Sequence, residues 1–264
     1  MSPSSFGIDA CNAALGADAH VFRITALAAC DSTNSVLMHH AEAGATSGMV
    51  VVADSQSAGR GRRNRQWISS PLDSLTFSLL WRFPGHSNAP EALSLVVGLA
   101  LQRALQALGA TTTVKWPNDI LCASRKLAGV LIETQPGDIK SAVIGIGLNL
   151  RLPPDMPDEI ARNAIALDEA LPAASATPAK EVVTATLLSH LSAMLSHYET
   201  QGFASLRHEW QMRHAFDGRE VVVTGGSGDV AGICEGVSDT GELLVRSGGV
   251  VRRVLSGDVS LRLA

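Results

Sequence analysis

Residues 53–67, ADSQSAGRGRRNRQW, place Arg60, Arg62, Arg63 and Arg65 within six positions, with Gly59 and Gly61 interleaved. Guanidinium groups keep their charge and present a donor fork that fits carboxylate and phosphate oxygens. Glycine lets backbone N–H groups come close to an anion. Such a stretch can hold a polyanionic ligand without a Walker A loop, and no GxxxxGK[ST] occurs in the chain. Trp67 at its end can stack on a nucleobase or pack on aliphatic side chains. Taken alone, the stretch reads equally as a solvated basic loop or a nucleic-acid patch.

Four further segments put polar groups where a ligand could use them. In Lys115-Trp116-Pro117-Asn118-Asp119, the proline stops a strand and fixes a turn, leaving Asn118 and Asp119 at the strand's end. A plain turn is the alternative. In 125–133, RKLAGVLIE, Lys126 enters a strand that ends in Glu133. The alternative is an edge lysine in solvent. Residues 145–150, GIGLNL, contain a GxG but lack the third glycine, and prolines follow instead of a helix, so they are poor evidence for dinucleotide binding. Asp31-Ser32-Thr33-Asn34 reads as a helix start capped by Ser32 or Thr33, or as hydroxyls for a small polar ligand.

The elements that must position these groups follow from periodicity. Residues 48–53 are a short apolar run, hence a buried strand. Residues 74–81 alternate Leu75, Phe77 and Leu79 against Ser74, Thr76 and Ser78, the period of a sheet. Residues 91–108 predict a helix buried on most sides, and 180–198 a second helix with Val183, Leu187, His190, Leu191, Met194 and Tyr198 on one stripe. Residues 112–116, 128–133 and 142–150 read as strands. The mixed order favours an α+β class over strict βαβ alternation. From Gly218 onward only short Val- and Leu-rich runs remain, separated by Gly-rich turns, which predicts a small unit of about five strands in an SH3-like barrel. We divide the chain into a loose segment 1–20, a main domain 21–215 and a small domain 216–264.

The bulk numbers exclude several classes. Apolar residues make up 46% of the 264 and charged residues 17%, the opposite of a disordered chain. The net charge of −4 lacks the basic surplus of a duplex-binding protein. Cys11, Cys30, Cys122 and Cys234 form no CxxC pair, and the eight histidines show no HExxH, so neither a disulfide framework nor a metal site is expected. Leu27-Ala28-Ala29-Cys30 has the form of a lipoprotein cleavage site, but Asp18, His20 and Arg23 interrupt the segment before it. No run approaches the ~18 apolar residues of a membrane helix, so a cytoplasmic protein is expected.

In this order and spacing the five segments resemble the biotin–protein ligase family, whose pattern runs STN, GRGRRGRxW, KWPND, KxxG(I/V)L(I/V)E and GxGxN. Here they stand as Ser32-Thr33-Asn34, 59–67, 115–119, 126–133 and 145–149, and 256–261 is similar to the family's closing strand. The resemblance implies a mixed-sheet catalytic domain of the class II aminoacyl-tRNA-synthetase-like type with an SH3-like C-terminal domain. It implies a ligase that joins biotin to AMP from ATP, with Mg2+, and then passes biotin to a lysine of a biotin carboxyl carrier protein of a biotin-dependent carboxylase.

By the same resemblance Lys126, Arg60, Arg62 and Asp119 are the catalytic set. Ser32, Thr33, Asn34, Gln56, Gly59, Gly129 and Gly147 join Arg60, Arg62 and Lys126 around biotin. Arg65, Trp67, Lys115, Asn118 and Asn149 join Arg62 and Lys126 around the nucleotide. Lys126 is expected to bridge the biotin carboxylate and the α-phosphate, and Trp67 to lie against adenine. Bifunctional members carry an N-terminal helix-turn-helix domain of about 60 residues. The residues before Ser32 show no such pattern and no basic surplus, so DNA binding is not expected. Many relatives dimerise, and a homodimer is compatible with the sequence. The rival within the wider fold, a lipoate ligase or octanoyltransferase, needs a longer apolar tunnel and lacks the GRGRR loop.

The chain departs from the pattern at Asn64, where the family commonly has glycine. Asparagine tolerates positive φ better than most residues. Asn64→Gly is therefore expected to be near neutral for biotinyl-AMP formation; a large gain or loss in that assay refutes the reading.

Overall fold

The alternation at 74–81 sets the layers of the molecule. The computed structural model describes residues 4–83, 91–135, 138–154, 156–173, 175–225, 228–257 and 259–264. Asp258, part of the expected closing strand, and the side chain of Asn64 lie outside what is described. Seven strands form a mixed sheet: β1 (Arg23–Cys30), β2 (Met49–Gln56), β3 (Ser74–Arg82), β4 (Thr113–Lys115), β5 (Asp119–Cys122), β6 (Arg125–Gln135) and β7 (Asp138–Asn149). Their order is β1-β2-β3-β7-β6-β5-β4, with β1 and β2 parallel and the other neighbours antiparallel. The helices are α1 (Ile8–Leu15), α2 (Thr33–Glu42), α3 (Leu93–Ala107), α4 (Asp158–Ala161), α5 (Leu167–Ala170), α6 (Lys180–Gln201) and α7 (Arg207–Met212).

Leu75, Phe77 and Leu79 of β3 join α1, α3 and α6 in the main core. On the opposite face Leu80 packs with Leu37 and Ala41 of α2. The polar positions between, Thr76 and Ser78, are also buried, at 2% and 0% exposure. Thr76 lines a cleft, and Ser78 is covered by Thr33 and Asn34 at the start of α2. Helix α3 is buried almost all round, from Leu93 to Leu105, because it lies between the sheet and α6.

Residues 4–20 correct the expectation of a loose segment at 1–20. Ile8–Leu15 is a helix packed on α6, with Phe6, Cys11 and Leu15 in the core. Its anchor is Asp54 at the end of β2. That carboxylate accepts hydrogen bonds from Ser4 Oγ (3.0 Å), Ser5 N (2.6 Å) and Ser5 Oγ (2.9 Å), and pairs with Lys180 Nζ at 2.8 Å. Burial favours the neutral acid, but these donors outweigh it and hold the carboxyl below its usual range. Two strands went unpredicted. β1 is a half-exposed edge without clean alternation, and the four residues of β5 start directly after the Pro117 turn.

The expected five C-terminal strands are present: β8 (Glu220–Gly225), β9 (Val230–Val237), β10 (Leu243–Ser247), β11 (Val250–Val254) and β12 (Val259–Leu263), antiparallel in the order β11-β10-β9-β8-β12. This SH3-like unit shares its core with the main sheet. Val221, Val223, Cys234, Val237, Leu243, Val245 and Leu261 belong to the same cluster as Phe77 and Trp116. Trp116 Nε1 donates to Gly241 O at 3.0 Å across the boundary.

His214 sits at that seam, stacked on Trp210 with centroids 4.7 Å apart, and is 7% exposed. Burial, reinforced by the Lys115 ammonium, pushes its pKa down to about 3. The unfolded chain titrates this ring near 6.5. Between those values only the unfolded chain takes the proton, so stability is full above pH 6.5 and falls on acidification. The loss from this group between pH 7 and pH 5 is about 2 kcal/mol. Urea unfolding of wild type and His214→Gln at both pH values measures it; equal acid slopes would refute the assignment.

Candidate functional site

The site begins where strand ends meet the basic loop. Helix α2 starts at Thr33, but neither Ser32 nor Thr33 caps it with a side chain. The Thr33 backbone N–H donates instead to Gln56 Oε1 at 2.7 Å, so a residue at the end of β2 satisfies the helix terminus. This keeps the hydroxyls on the cleft side. Thr33 Oγ1 donates to Gln56 Oε1 at 3.2 Å and lies 2.7 Å from Ser78 Oγ. Ser78 Oγ donates to Asn34 Oδ1 at 2.5 Å, and Asn34 Nδ2 donates to Glu133 Oε2 at 2.7 Å. A polar chain therefore runs from β2 through α2 and β3 to β6.

The floor is β7. Gly145 and Gly147 face Ser78 and Thr76 of β3 on one side, and Leu131 and Gly129 of β6 on the other. A Cβ on Gly145 would meet Asn34 Oδ1 at 2.3 Å, and one on Gly147 would meet the Trp67 ring at the same distance. The two glycines are therefore the positions at which Asn34 and Trp67 approach the sheet. They do not form the phosphate turn that a GxG suggests.

The basic loop folds back on itself. Trp67 N donates to Gly59 O at 2.9 Å and Gly61 N to Arg65 O at 2.7 Å. A short 3-10 turn, Arg62–Asn64, forms the tip, and its left-handed residue is Arg63 (φ 59°). Arg60 pairs with Glu133 at 2.9 Å. Arg62 Nη1 donates to Asn118 Oδ1 at 3.3 Å, and Nη2 donates to the carbonyls of Ser256 and Gly257. Lys126 Nζ lies 2.6 Å from Asp119 Oδ1 and 5.8 Å from the centroid of the Trp67 ring. The Lys126 backbone is fixed by N–H donation to Asn163 O at 2.7 Å and by Ile165 N donating to its carbonyl at 3.0 Å.

These groups border one cleft with about 480 Å³ of open space. Ser32, Thr33, Asn34, Gln56, Arg60, Arg62, Trp67, Asn118, Lys126, Gly129 and Gly147 line it, and Asp119 reaches it through Lys126. Besides Asp119, four expected residues stand outside the lining. Gly59 lies behind the loop, where a Cβ would meet Trp67 O at 2.5 Å. Arg65 is exposed at the base of the tip. Lys115 lies 5.6 Å from the Phe216 ring centroid. Burial, with Lys126, Arg262 and Arg65 nearby, lowers the Lys115 pKa against the pull of Asp119. Asn149 is not among the lining residues. Its amide is buried and donates to Ile165 O (3.0 Å) and Lys126 O (3.3 Å), holding the lysine's strand in place.

Sequence reasoning gave no role to Thr76, Ser78, Leu131, Gly145 or Glu133. The signal for Thr76 and Ser78 was the polar half of an alternating strand; the signal for Glu133 was its place at the end of the lysine motif.

Comparison with known proteins follows the same order along the chain. Residues 27–149 match the biotin/lipoate A/B protein ligase family, and residues 218–262 match the biotin protein ligase C-terminal domain. The chain is 35% identical over 244 residues to the bifunctional ligase/repressor BirA of Salmonella typhimurium, covering 91% of this chain and 75% of that one. It is 34% identical over 238 residues to the biotin–[acetyl-CoA-carboxylase] ligase of Paracoccus denitrificans, covering 83% and 92%. The solved biotin protein ligase of Aquifex aeolicus in complex with biotin and ATP superposes with a TM-score of 0.80 at 29% identity, over 92% of this chain and 99% of that one. With both parts of the sequence matched and relatives of this identity aligned across most of their length, the chain belongs to the biotin protein ligase family.

Proposed function

We propose that the cleft carries out both half-reactions of ATP-dependent biotin ligation with Lys126, Arg60 and Arg62 as its charged machinery. In the first, a biotin carboxylate oxygen bonds to the α-phosphorus of ATP and pyrophosphate leaves, giving biotinyl-5′-AMP. In the second, the ε-amine of an acceptor lysine attacks the acyl carbon, its proton is lost and AMP leaves. Two anions repel by about 4 kcal/mol at 4 Å in a partly shielded site. Fixed cations in a dry cleft offset that repulsion, and they do most where charge builds in the transition state.

The observation that carries the reading is the convergence of Lys126 from β6 with Arg60 and Arg62 from the loop after β2 on one glycine-floored cleft. Ser32, Thr33, Asn34 and Gln56, on the wall next to Gly145, are suited to the ureido ring of biotin. Trp67, beside Lys126, is suited to adenine. Lys115 and Arg65 extend the positive region toward the phosphates, and Asn118 holds Arg62 beside them. Asp119, once Lys126 turns to an anion, is left as a carboxylate able to orient or deprotonate the incoming amine.

Mg2+ enters with ATP, held chiefly by phosphates and water, as that ion prefers. Among the described residues no group of three or more His, Cys, Asp or Glu side chains forms a metal site. The acceptor we propose is a biotin carboxyl carrier protein of a biotin-dependent carboxylase. No helix among the described residues is long and apolar enough to cross a membrane.

Transfer of labelled biotin to a carrier domain tests the assignment. Wild type should transfer only with ATP, and Lys126→Ala should lose about 10²–10³-fold, the scale of removing one transition-state donor. Retained activity in Lys126→Ala, or equal pyrophosphate release with lipoate, would sink it. A second test addresses the floor. Gly145→Ala forces Asn34 away and is expected to raise KM for biotin far more than KM for ATP in steady-state adenylation; equal effects on both would contradict the placement of biotin over Gly145.

A further inference from the structure

We infer that Glu133 is a positioning residue for biotin activation: it receives Arg60 across the cleft and straps the basic loop over the bound intermediate. The inference rests on the functional reading above.

The loop is rooted at Gln56 on β2, and Glu133 sits on β6. Strands β3 and β7 lie between them, so the ion pair closes a gap of three strand spacings, about 14 Å. Beneath it run Thr76 of β3 and Gly145 and Gly147 of β7, the floor of the cleft. The Arg60–Glu133 contact at 2.9 Å is thus a bridge over the site.

The same carboxylate oxygen, Oε2, accepts from Asn34 Nδ2 at 2.7 Å. One atom therefore ties the moving part, the loop arginine, to the fixed wall at Gly145. Arg62 fastens the loop at a second point, to the Ser256 and Gly257 carbonyls. The Glu133 strap closes the end of the cleft near Asn34, and the Arg62 tether closes the end near the C-terminal unit.

The pair's exposure separates this role from a structural one. The Arg60 and Glu133 side chains are 46% and 28% exposed, so solvent screens them and they add little to the folding free energy. A contact that contributes little to folding can still set how long a loop stays shut.

The test measures the residence time of biotinyl-AMP, formed in place from biotin and ATP, in wild type, Glu133→Gln, Arg60→Ala and the double variant. Glutamine keeps an oxygen for Asn34 and removes the attraction for Arg60. Glu133→Gln is expected to shorten the residence time by about two- to fivefold, the range of a partly exposed pair. KM for biotin should rise in proportion while the thermal midpoint stays within error of wild type. In the Arg60→Ala background Glu133→Gln should add nothing, because its effect runs through that arginine. An unchanged residence time, or effects that simply add, overturns the strap while leaving the ligase assignment standing. A wild-type chain that forms no biotinyl-AMP overturns the ligase assignment and the strap together.

Discussion

Everything in this site answers to one electrostatic constraint: several cations must be held around one cleft before any anion arrives. Unpaired, they would repel one another and loosen the loop that carries two of them. The fold gives each a counterpart. Lys126 has Asp119, Arg60 has Glu133, and Arg62 has the Asn118 side chain and two backbone carbonyls. These partners come from β5, β6 and the segment before β12, so the charge arrangement requires the strands to be in place. Each contact is also partly exposed, and a carboxylate or phosphate entering the cleft can exchange with it.

The floor obeys a steric constraint that complements the charge. Between β3 and β6 the cleft-side positions of β7 are Gly145 and Gly147, and their backbone neighbours are approached by Asn34 and Trp67. Any side chain there would lift the wall residue at one end and the indole at the other. The opposite face of the same strand carries Ile144, Ile146 and Leu148, fully packed in the core. One strand thus supplies core on one side and room for Asn34 and Trp67 on the other. That division explains why a stretch reading GIGLN cannot drift in register without losing both.

Legibility in the sequence followed this division. Motifs whose chemistry is local were readable: Arg60 and Arg62 of the loop, Lys126 at a strand's start, and Asn118 after its turn all reach the cleft. The strands with strong apolar runs and the two long helices were readable as well. What the sequence did not reveal depended on partners distant along the chain. The segment 1–20 looked loose because its anchor, Asp54, lies in another strand and Lys180 in a late helix. Asn149 sits in a motif beside cleft residues, yet its amide is spent on the backbone at 126 and 165. Thr76 and Ser78 showed only as the polar half of a strand, because alternation reports two faces and cannot say what covers the polar one. Glu133 was marked only by its place at the end of the lysine motif, since its partner is an arginine 73 residues earlier.

The small C-terminal unit illustrates how distant parts come to serve one site. On size alone, five short strands would be marginally stable. Here their inner residues continue the main core, and Trp116, next to Lys115 in the KWPND segment, is locked by a hydrogen bond to Gly241. The loop before β12 then offers two carbonyls to Arg62. The basic loop is therefore held from one side by a strand of the catalytic sheet and from the other by the C-terminal unit. Detaching that unit would expose the Trp116 seam and release one end of the loop in the same step. The two family segments, separated by almost seventy residues of unmatched chain, are joined by a shared core, the Trp116 hydrogen bond and the Arg62 tether.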